Sequence, residues 1–368
     1  MITLTVMMAT LVFFTDFDST ATAPSDDSAN RSDEITYWVN SSVQAGYQGY
    51  THSENGHQPY QWLLHSANLN GGLAFEGGPS IEFDVDAADM QRGWWISSFV
   101  DIAYQEDGYV RVGQFATPFS DENYQPTSSL DHIKRYHPLS SLHRFSLVGA
   151  GFGVMLHASE NMLTYYLSAT TNLSNHAFYP DRIQFQARAD YQFSEDLTYG
   201  LSLLYQDNIS GSLPLIDHSG NSFSELQINS GVLGGLLKSE WFYGRWYTRS
   251  ELFTLWFTEP VDAGNQAGWY YGSYSELGVH LGSDRESANH HILGRLEASQ
   301  YFNTYTDVEG TERIYSLMAG HIWHLHPMLS LRSNLVFHHA DTVPVNTNER
   351  YDNQRYGFHG LMTLELKL

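Results

Sequence analysis

The sequence predicts an all-β chain, a transmembrane antiparallel β-barrel of about 16 strands. Three observations point there. The segment 182–193 (RIQFQARADYQF) puts Ile183, Phe185, Ala187, Ala189, Tyr191 and Phe193 on one parity, and Arg182, Gln184, Gln186, Arg188, Asp190 and Gln192 on the other. A strand sends successive side chains to opposite faces, so this is a ribbon with one apolar and one hydrophilic wall. The pattern recurs along the chain in stretches of about 10 residues, the length a tilted strand needs to cross a bilayer. Aromatics make up 14% of the residues, with 24 Tyr, 20 Phe and 9 Trp, which suits girdles at two membrane interfaces.

The elements follow in order. Met1–Phe14 (MITLTVMMATLVFF) reads as the apolar part of a secretory signal, and Ala21-Thr22-Ala23 has the small-x-small form of a cleavage site, giving a signal peptide over 1–23. The Ser/Thr/Asp-rich stretch up to residue 34 reads as a disordered leader, and 35–368 as the barrel. Ile35, Tyr37, Val39, Ser41, Val43, Ala45 and Tyr47 share one parity and open the strand series. Residues 63–73 follow less cleanly, then 94–104, with the turn Glu106-Asp107-Gly108 leading into 109–115 as a tight hairpin. Acidic stretches such as 76–89, 284–286 and 307–312 read as loops. Further strands are expected at 145–156, 162–171, 182–193 and 198–206. Gly234-Gly235 separates the strands 226–233 and 236–243, and the remaining strands are 246–257, 270–281, 291–302, 313–326, 329–339 and 355–368. Short turns alternate with longer polar loops, such as 172–181, 207–222 and 258–268, as barrels do on their two sides. Tyr356, Phe358, Met362, Leu364, Leu366 and Leu368 share a face, the kind of ending the barrel-assembly machinery reads.

Composition narrows the function. Cysteine is absent, so neither a disulfide framework nor a thiolate metal site exists. No apolar run of 18 or more residues follows the N-terminus, which excludes an ordinary membrane-spanning helix. Acidic residues outnumber basic ones 41 to 18, a net charge of −23 that argues against nucleic acid as a partner. No nucleotide fingerprint or zinc-protease motif is present. Among the 18 histidines, His324 and His326 share a strand face while His321 takes the other, and His290-His291 and His338-His339 point to opposite faces. No strand offers three convergent ligands, so no metal and no cofactor is expected.

One stretch goes beyond periodicity. Residues 109–123 read YVRVGQFATPFSDEN, followed by Thr127-Ser128-Ser129 and then by 144–154, RFSLVGAGFGV. This resembles the phosphate-selective porin O and P family, where a strand ending in G-Q-F-K-x-P-F precedes a loop and a glycine-rich strand. The resemblance covers about 45 residues; beyond it only the strand rhythm of barrels agrees. It implies a barrel with a loop folded into the lumen, a homotrimer, and an outer-membrane location among lipid and lipopolysaccharide. Position 116 is Ala where members commonly carry Lys, and the family's basic clusters have no equivalent here, so the resemblance is carried to the pore and not to phosphate.

With the apolar parity toward lipid, the opposite parity lines a channel. That places Arg111, Arg182, Arg188, Lys238, Arg249, Arg295, Arg332 and Arg355 inward, because a charge facing the hydrocarbon costs ~2–4 kcal/mol. Arg188 with Asp190, Lys238 with Glu240, Arg249 with Glu251 and Arg295 with Glu297 lie two apart on one wall, and are expected to pair along their strands. The segment 118–144 is the candidate constriction loop, carrying Asp121, Glu122, Asp131, Lys134 and Arg135. The resulting expectation is a passive channel for small hydrophilic solutes or inorganic ions. An anion- or phosphate-selective channel is the first alternative, and a non-channel barrel (lipid hydrolase or adhesin) the second. A His-x-Ser spacing, as in outer-membrane lipid hydrolases, occurs at His157-Ala158-Ser159, but it reads as a hairpin turn, so no enzyme is expected.

Overall fold

The computed structural model describes residues 35–50, 60–76, 78–86, 95–105, 107–124, 142, 147–174, 177–216, 222–258, 268–282, 288–303, 310–344 and 355–367. The signal and leader expected over 1–34 lie outside them, as do Asp131, Lys134 and Arg135.

The strands are β1 (Ile35–Tyr50), β2 (Tyr60–Phe75), β3 (Ser80–Asp86), β4 (Trp95–Gln105), β5 (Gly108–Ala116), β6 (Ala150–Glu160), β7 (Leu163–Ser174) and β8 (Ala177–Ser194). They continue as β9 (Leu197–Ile216), β10 (Ser222–Tyr243), β11 (Trp246–Phe257), β12 (Gly268–Leu281), β13 (His290–Asn303), β14 (Gly310–His326), β15 (Leu329–Pro344) and β16 (Arg355–Lys367). Each pairs antiparallel with its sequence neighbours, and β1 pairs with β16 from Ser42↔Lys367 to Tyr50↔His359, closing the barrel. Closure gives every strand two neighbours and removes the edges that hydrocarbon would leave unsatisfied.

Alternation sets the two surfaces. On β13, Ile292 and Leu296 face out, the latter 61% exposed, while His291, Leu293, Arg295 and Glu297 are buried inside. The outer face ends in aromatics. Trp241 stacks on Tyr243 beside the β10–β11 turn, and Trp256 stacks on Trp269 at the far end of β11. Trp246 and Trp256 bracket β11, about 33 Å along the strand at ~3.3 Å per residue, or ~25 Å of height at a tilt near 40°. That is the height of an outer-membrane apolar band. No helix among the described residues is long and apolar enough to cross a membrane.

Several expected boundaries move. Residues 80–86, expected within an acidic loop, form β3, with Ile81 and Phe83 exposed outside and Glu82 and Asp84 on the inward parity. The acids that suggested a loop are its wet face. Conversely, Gly234-Gly235 separates nothing: β10 runs through it unbroken. A Cβ at Gly234 would meet Leu255 Cδ2 at 2.7 Å and Leu204 Cβ at 3.3 Å, so this glycine makes room for side-chain packing rather than a turn. Most of the loop expected over 172–181 and much of that over 207–222 is strand, in β7, β8 and β9. His157-Ala158-Ser159 lies within β6, not in a turn, and the hairpin turns at Asn161, whose φ is 54°. The untidy pattern in β2 has a local cause. Between Gln44 and Ala45 the partner jumps from Ser66 to Leu64, so His65 is the extra residue of a bulge.

Placing a charge outside tests the two-surface assignment. Leu296→Arg should destabilise the refolded barrel by ~2–4 kcal/mol in guanidinium titrations in lipid vesicles. An unchanged midpoint would mean this face does not meet lipid.

Candidate functional site

The chain between β5 and β6 enters the barrel at Thr117 and leaves it at Gly149, and Thr117 N–H donates to the Gly149 carbonyl at 2.8 Å. Asn123 tightens this neck by donating to the Thr117 carbonyl at 2.6 Å. Just before it, Gly113 has φ +139°, and a Cβ there would lie 2.4 Å from the Ser98 carbonyl oxygen, so the glycine of the GQF stretch is sterically required.

Apolar packing holds this loop to one side of the interior. Phe119, Leu142, Leu147 and Val148 form a buried cluster with Leu204, Val232, Leu236, Phe253, Leu255, Phe257, Tyr270 and Tyr274 of β9–β12. These wall residues carry the inward parity, so here the inside of the barrel is apolar. The expectation of a uniformly hydrophilic inner parity is corrected, because the loop supplies a surface against which that wall can be dry. Leu147 and Val148, expected in a strand beginning at 145, belong to this packing; β6 starts at Ala150.

Charged groups fix the helical turn Asp121–Tyr124. The buried Glu251 carboxylate accepts Ser120 Oγ–H at 2.7 Å and Asp121 N–H at 2.9 Å. Asp121 bridges Arg188 and Lys238, the latter at 2.8 Å. Burial would raise the Asp121 carboxyl, but the Arg188 and Lys238 cations outweigh it and hold the group well below the ordinary carboxylate range. Glu122 pairs with Arg295, which also binds Glu276 at 2.9 Å and lies over the Tyr274 ring at 4.3 Å.

The pairs expected along single strands are therefore only partly formed. Arg188 does hold Asp190 at 2.6 Å, and Arg295 stands 3.6 Å from Glu297. Lys238 turns away from Glu240 to Asp190 and Asp121, and Arg249 donates to Glu240 at 2.6 Å across the β10–β11 register. Cross-strand neighbours on one face lie closer than i and i+2 on a stretched strand, which is why the second shift occurs. The same geometry supplies partners that spacing did not reveal. Asp101 binds Arg111 through two hydrogen bonds of 2.8 and 2.7 Å, and Glu365 binds Arg332 at 2.7 Å. Arg182 and Arg355 sit on β8 and β16, but their side chains lie outside the description.

Toward the short-turn end a cavity of about 490 Å³ is lined by Asp101, Asp107, Tyr109, His157 and Ser159, among others. His157 stacks on Tyr109 at 4.5 Å and tilts against Tyr166, and Ser159 Oγ lies 3.0 Å from Thr164 Oγ1. On the outer face His290 Nδ1 and His321 Nε2 approach to 3.1 Å. No group of three or more metal-ligating side chains occurs among the described residues.

These features define an outer-membrane β-barrel of the porin type, with the described residues of its β5–β6 connection packed against the inner wall. Solved structures agree on the fold. The chain is similar to an anion-selective porin from Comamonas acidovorans (TM-score 0.64, 11% identity, covering 91% of this chain and 100% of the other). It is also similar to the trimer form of OmpT, an outer membrane protein of Vibrio cholerae (0.61, 8%, 91% and 100%). The outer membrane channel DcaP of Acinetobacter baumannii matches likewise (0.59, 9%, 91% and 97%). No protein-family model and no curated protein matches the chain.

Two outcomes follow for the anchor. Glu251→Ala removes both acceptors, each worth ~1.5–3 kcal/mol as a charged hydrogen bond, so amide exchange in 117–124 should accelerate at least ~10-fold. Unchanged exchange would dissociate Glu251 from loop position. For Asp121 the folded value is lowered, so its contribution is complete above the ordinary carboxylate pKa, about 3.9, and is lost only as pH falls through the lower folded value. Protection of 117–124, corrected for intrinsic exchange, should thus persist at pH ~4 in the parent chain and be reduced at that pH and above in Asp121→Asn.

Proposed function

We propose that this chain is a porin of the Gram-negative outer membrane, a water-filled channel for passive diffusion of small hydrophilic solutes and ions. The observation that carries the reading is the β5–β6 loop held against the inner wall by Glu251, Arg188, Lys238 and Arg295. A loop fastened in this way narrows a lumen without filling it, and fixed charges on both loop and wall give solutes a polarised path. Charge pairs of this kind do no covalent chemistry, so the protein acts as a sieve and not as an enzyme. His157 and Ser159 share a face, but Ser159 is engaged with Thr164, which favours a wall role over hydrolysis.

Trimeric assembly is supported by wall height. β5 has 9 residues, against 20 in β9 and 22 in β10. Nine residues at ~3.3 Å, tilted near 40°, rise ~23 Å, no more than the ~25 Å apolar band, while β9 and β10 stand far above it. A second and third copy would cover this low side. A phosphate speciality is disfavoured by Ala116 and by the carboxylate that accompanies each inward cation among the described side chains.

Purified, refolded protein should produce stepwise conductance in planar bilayers. Arg188→Ala and Arg249→Ala should each shift the reversal potential toward cations. The absence of conductance steps from a heat-modifiable, folded preparation would defeat the porin reading in favour of a non-channel barrel.

A further inference from the structure

On the inner face of β5–β7 an aromatic strip runs from the inward loop toward the short-turn mouth. Tyr109 stacks on His157 with centroids 4.5 Å apart, and His157 leans against Tyr166 at 4.7 Å. Tyr124, the last residue of the helical turn, packs edge-on against Tyr166, and its hydroxyl lies 3.4 Å from that of Tyr109. Phe99, Phe115 and Met155 are buried behind the three tyrosines and fix their positions. The guanidinium groups of Arg111 and Arg188 lie 5.1 Å from the Tyr109 ring and 5.4 Å from the Tyr166 ring. Loop anchoring accounts for Tyr124. It does not account for rings that continue past the loop to the mouth.

The strip ends at the cavity of about 490 Å³, where Tyr109 and His157 stand with Asp101, Gln105, Asp107 and Ser159. Asp101 accepts two hydrogen bonds from Arg111, which hold the carboxylate in one orientation. A carboxylate has about four acceptor sites, so a further donor can still bind it. The β4–β5 register shifts between Ala103 and Gln105, and such a bulge at a barrel rim re-aims a side chain. Ser159 N–H donates to the Asp107 carbonyl at 2.9 Å, pinning the turn to the wall. His157 Nδ1 is buried with no hydrogen-bond partner among the described residues. Rings thus meet hydroxyl, amide and carboxylate groups in one space. A sugar ring needs both, because its C–H face packs on aromatic faces while its hydroxyls donate and accept. The volume falls within the ~300–1,000 Å³ typical of sites that hold one small molecule.

We propose that this mouth cavity is a subsite for a neutral hydroxylated ring of the monosaccharide class. Tyr109 and His157 form its apolar platform, and Asp101, Gln105 and Ser159 take its hydroxyls. The proposal rests on the porin reading and names a solute class for it. A site in a channel must bind well enough to gather its solute and weakly enough to release it, which places the affinity in roughly the millimolar range.

The test is ion current through the full-length refolded protein in planar bilayers, with glucose as the probe and sorbitol as the control. Sorbitol is acyclic, and offers hydroxyls without a rigid C–H face to set against Tyr109. Glucose should lower the current saturably, with half-effect at a concentration at least ~5-fold below that of sorbitol. Tyr109→Leu, which removes the ring, and Gln105→Ala, which removes the amide, should each raise that concentration at least ~3-fold. Equal effects of the two polyols in the parent overturn the proposal, as does an unaltered glucose effect in both folded variants. Saturation-transfer NMR of the parent in detergent micelles reads contact without a current: transfer to glucose well above that to sorbitol is expected, and none to glucose overturns the proposal. Absence of current steps strikes the porin reading and leaves the NMR result to judge the subsite, so the two failures are distinguishable.

Discussion

In hydrocarbon a backbone N–H or C=O without a partner costs several kcal/mol, and no water is present to relieve it. This constraint organises the molecule. It requires β1 to meet β16, and the register from Ser42↔Lys367 onward supplies that meeting. Once the ring is closed, alternation has only two destinations, lipid or lumen, and each strand's polar residues are driven inward by the cost of the alternative. Inward arginines therefore exist in number before any function is assigned to them.

Inside, the cost is different. An ion taken out of water needs partners with good geometry, or it costs several kcal/mol. The barrel meets this by borrowing acids from its own loop. Asp121 and Glu122, successive residues of one helical turn, reach Lys238 and Arg188 on one side and Arg295 on the other. Glu251 reverses the roles, with a wall carboxylate receiving loop donors. The apolar cluster around Phe119 and Phe253 adds a non-directional hold, while the ionic contacts fix register. Loop position is thus specified by two kinds of contact, one directional and ionic and the other apolar and non-directional.

The strand rhythm was largely legible, since a period of 2 is a property of neighbouring residues. The expected number of strands agrees with the structure only because two boundary errors offset each other. β3 was hidden because its inward face is acidic, and Gly234-Gly235 split β10 because glycine pairs commonly mark turns. Loop residues Asp121 and Glu122 stood out in the sequence as candidates, yet their partners did not. Lys238 was expected to hold Glu240 two positions on, and instead holds Asp190 and Asp121, which are distant in sequence. Glu276, Asp101 and Glu365 escaped notice because nothing local to them signals a cation on the next strand.

Sequence alone determined the class of architecture: alternating faces, aromatic ends and the absence of a long apolar helix admit a membrane barrel. These are local properties, encoded within about ten residues at a time. The tertiary structure decided which inward residues are wet, which acids meet which cations, and that part of the inner wall is apolar beneath the loop. Those outcomes depend on register between strands and on where the loop comes to rest, and both are set by contacts between residues far apart in the chain. A parity pattern tells a side chain which way to point, but not what it will find there.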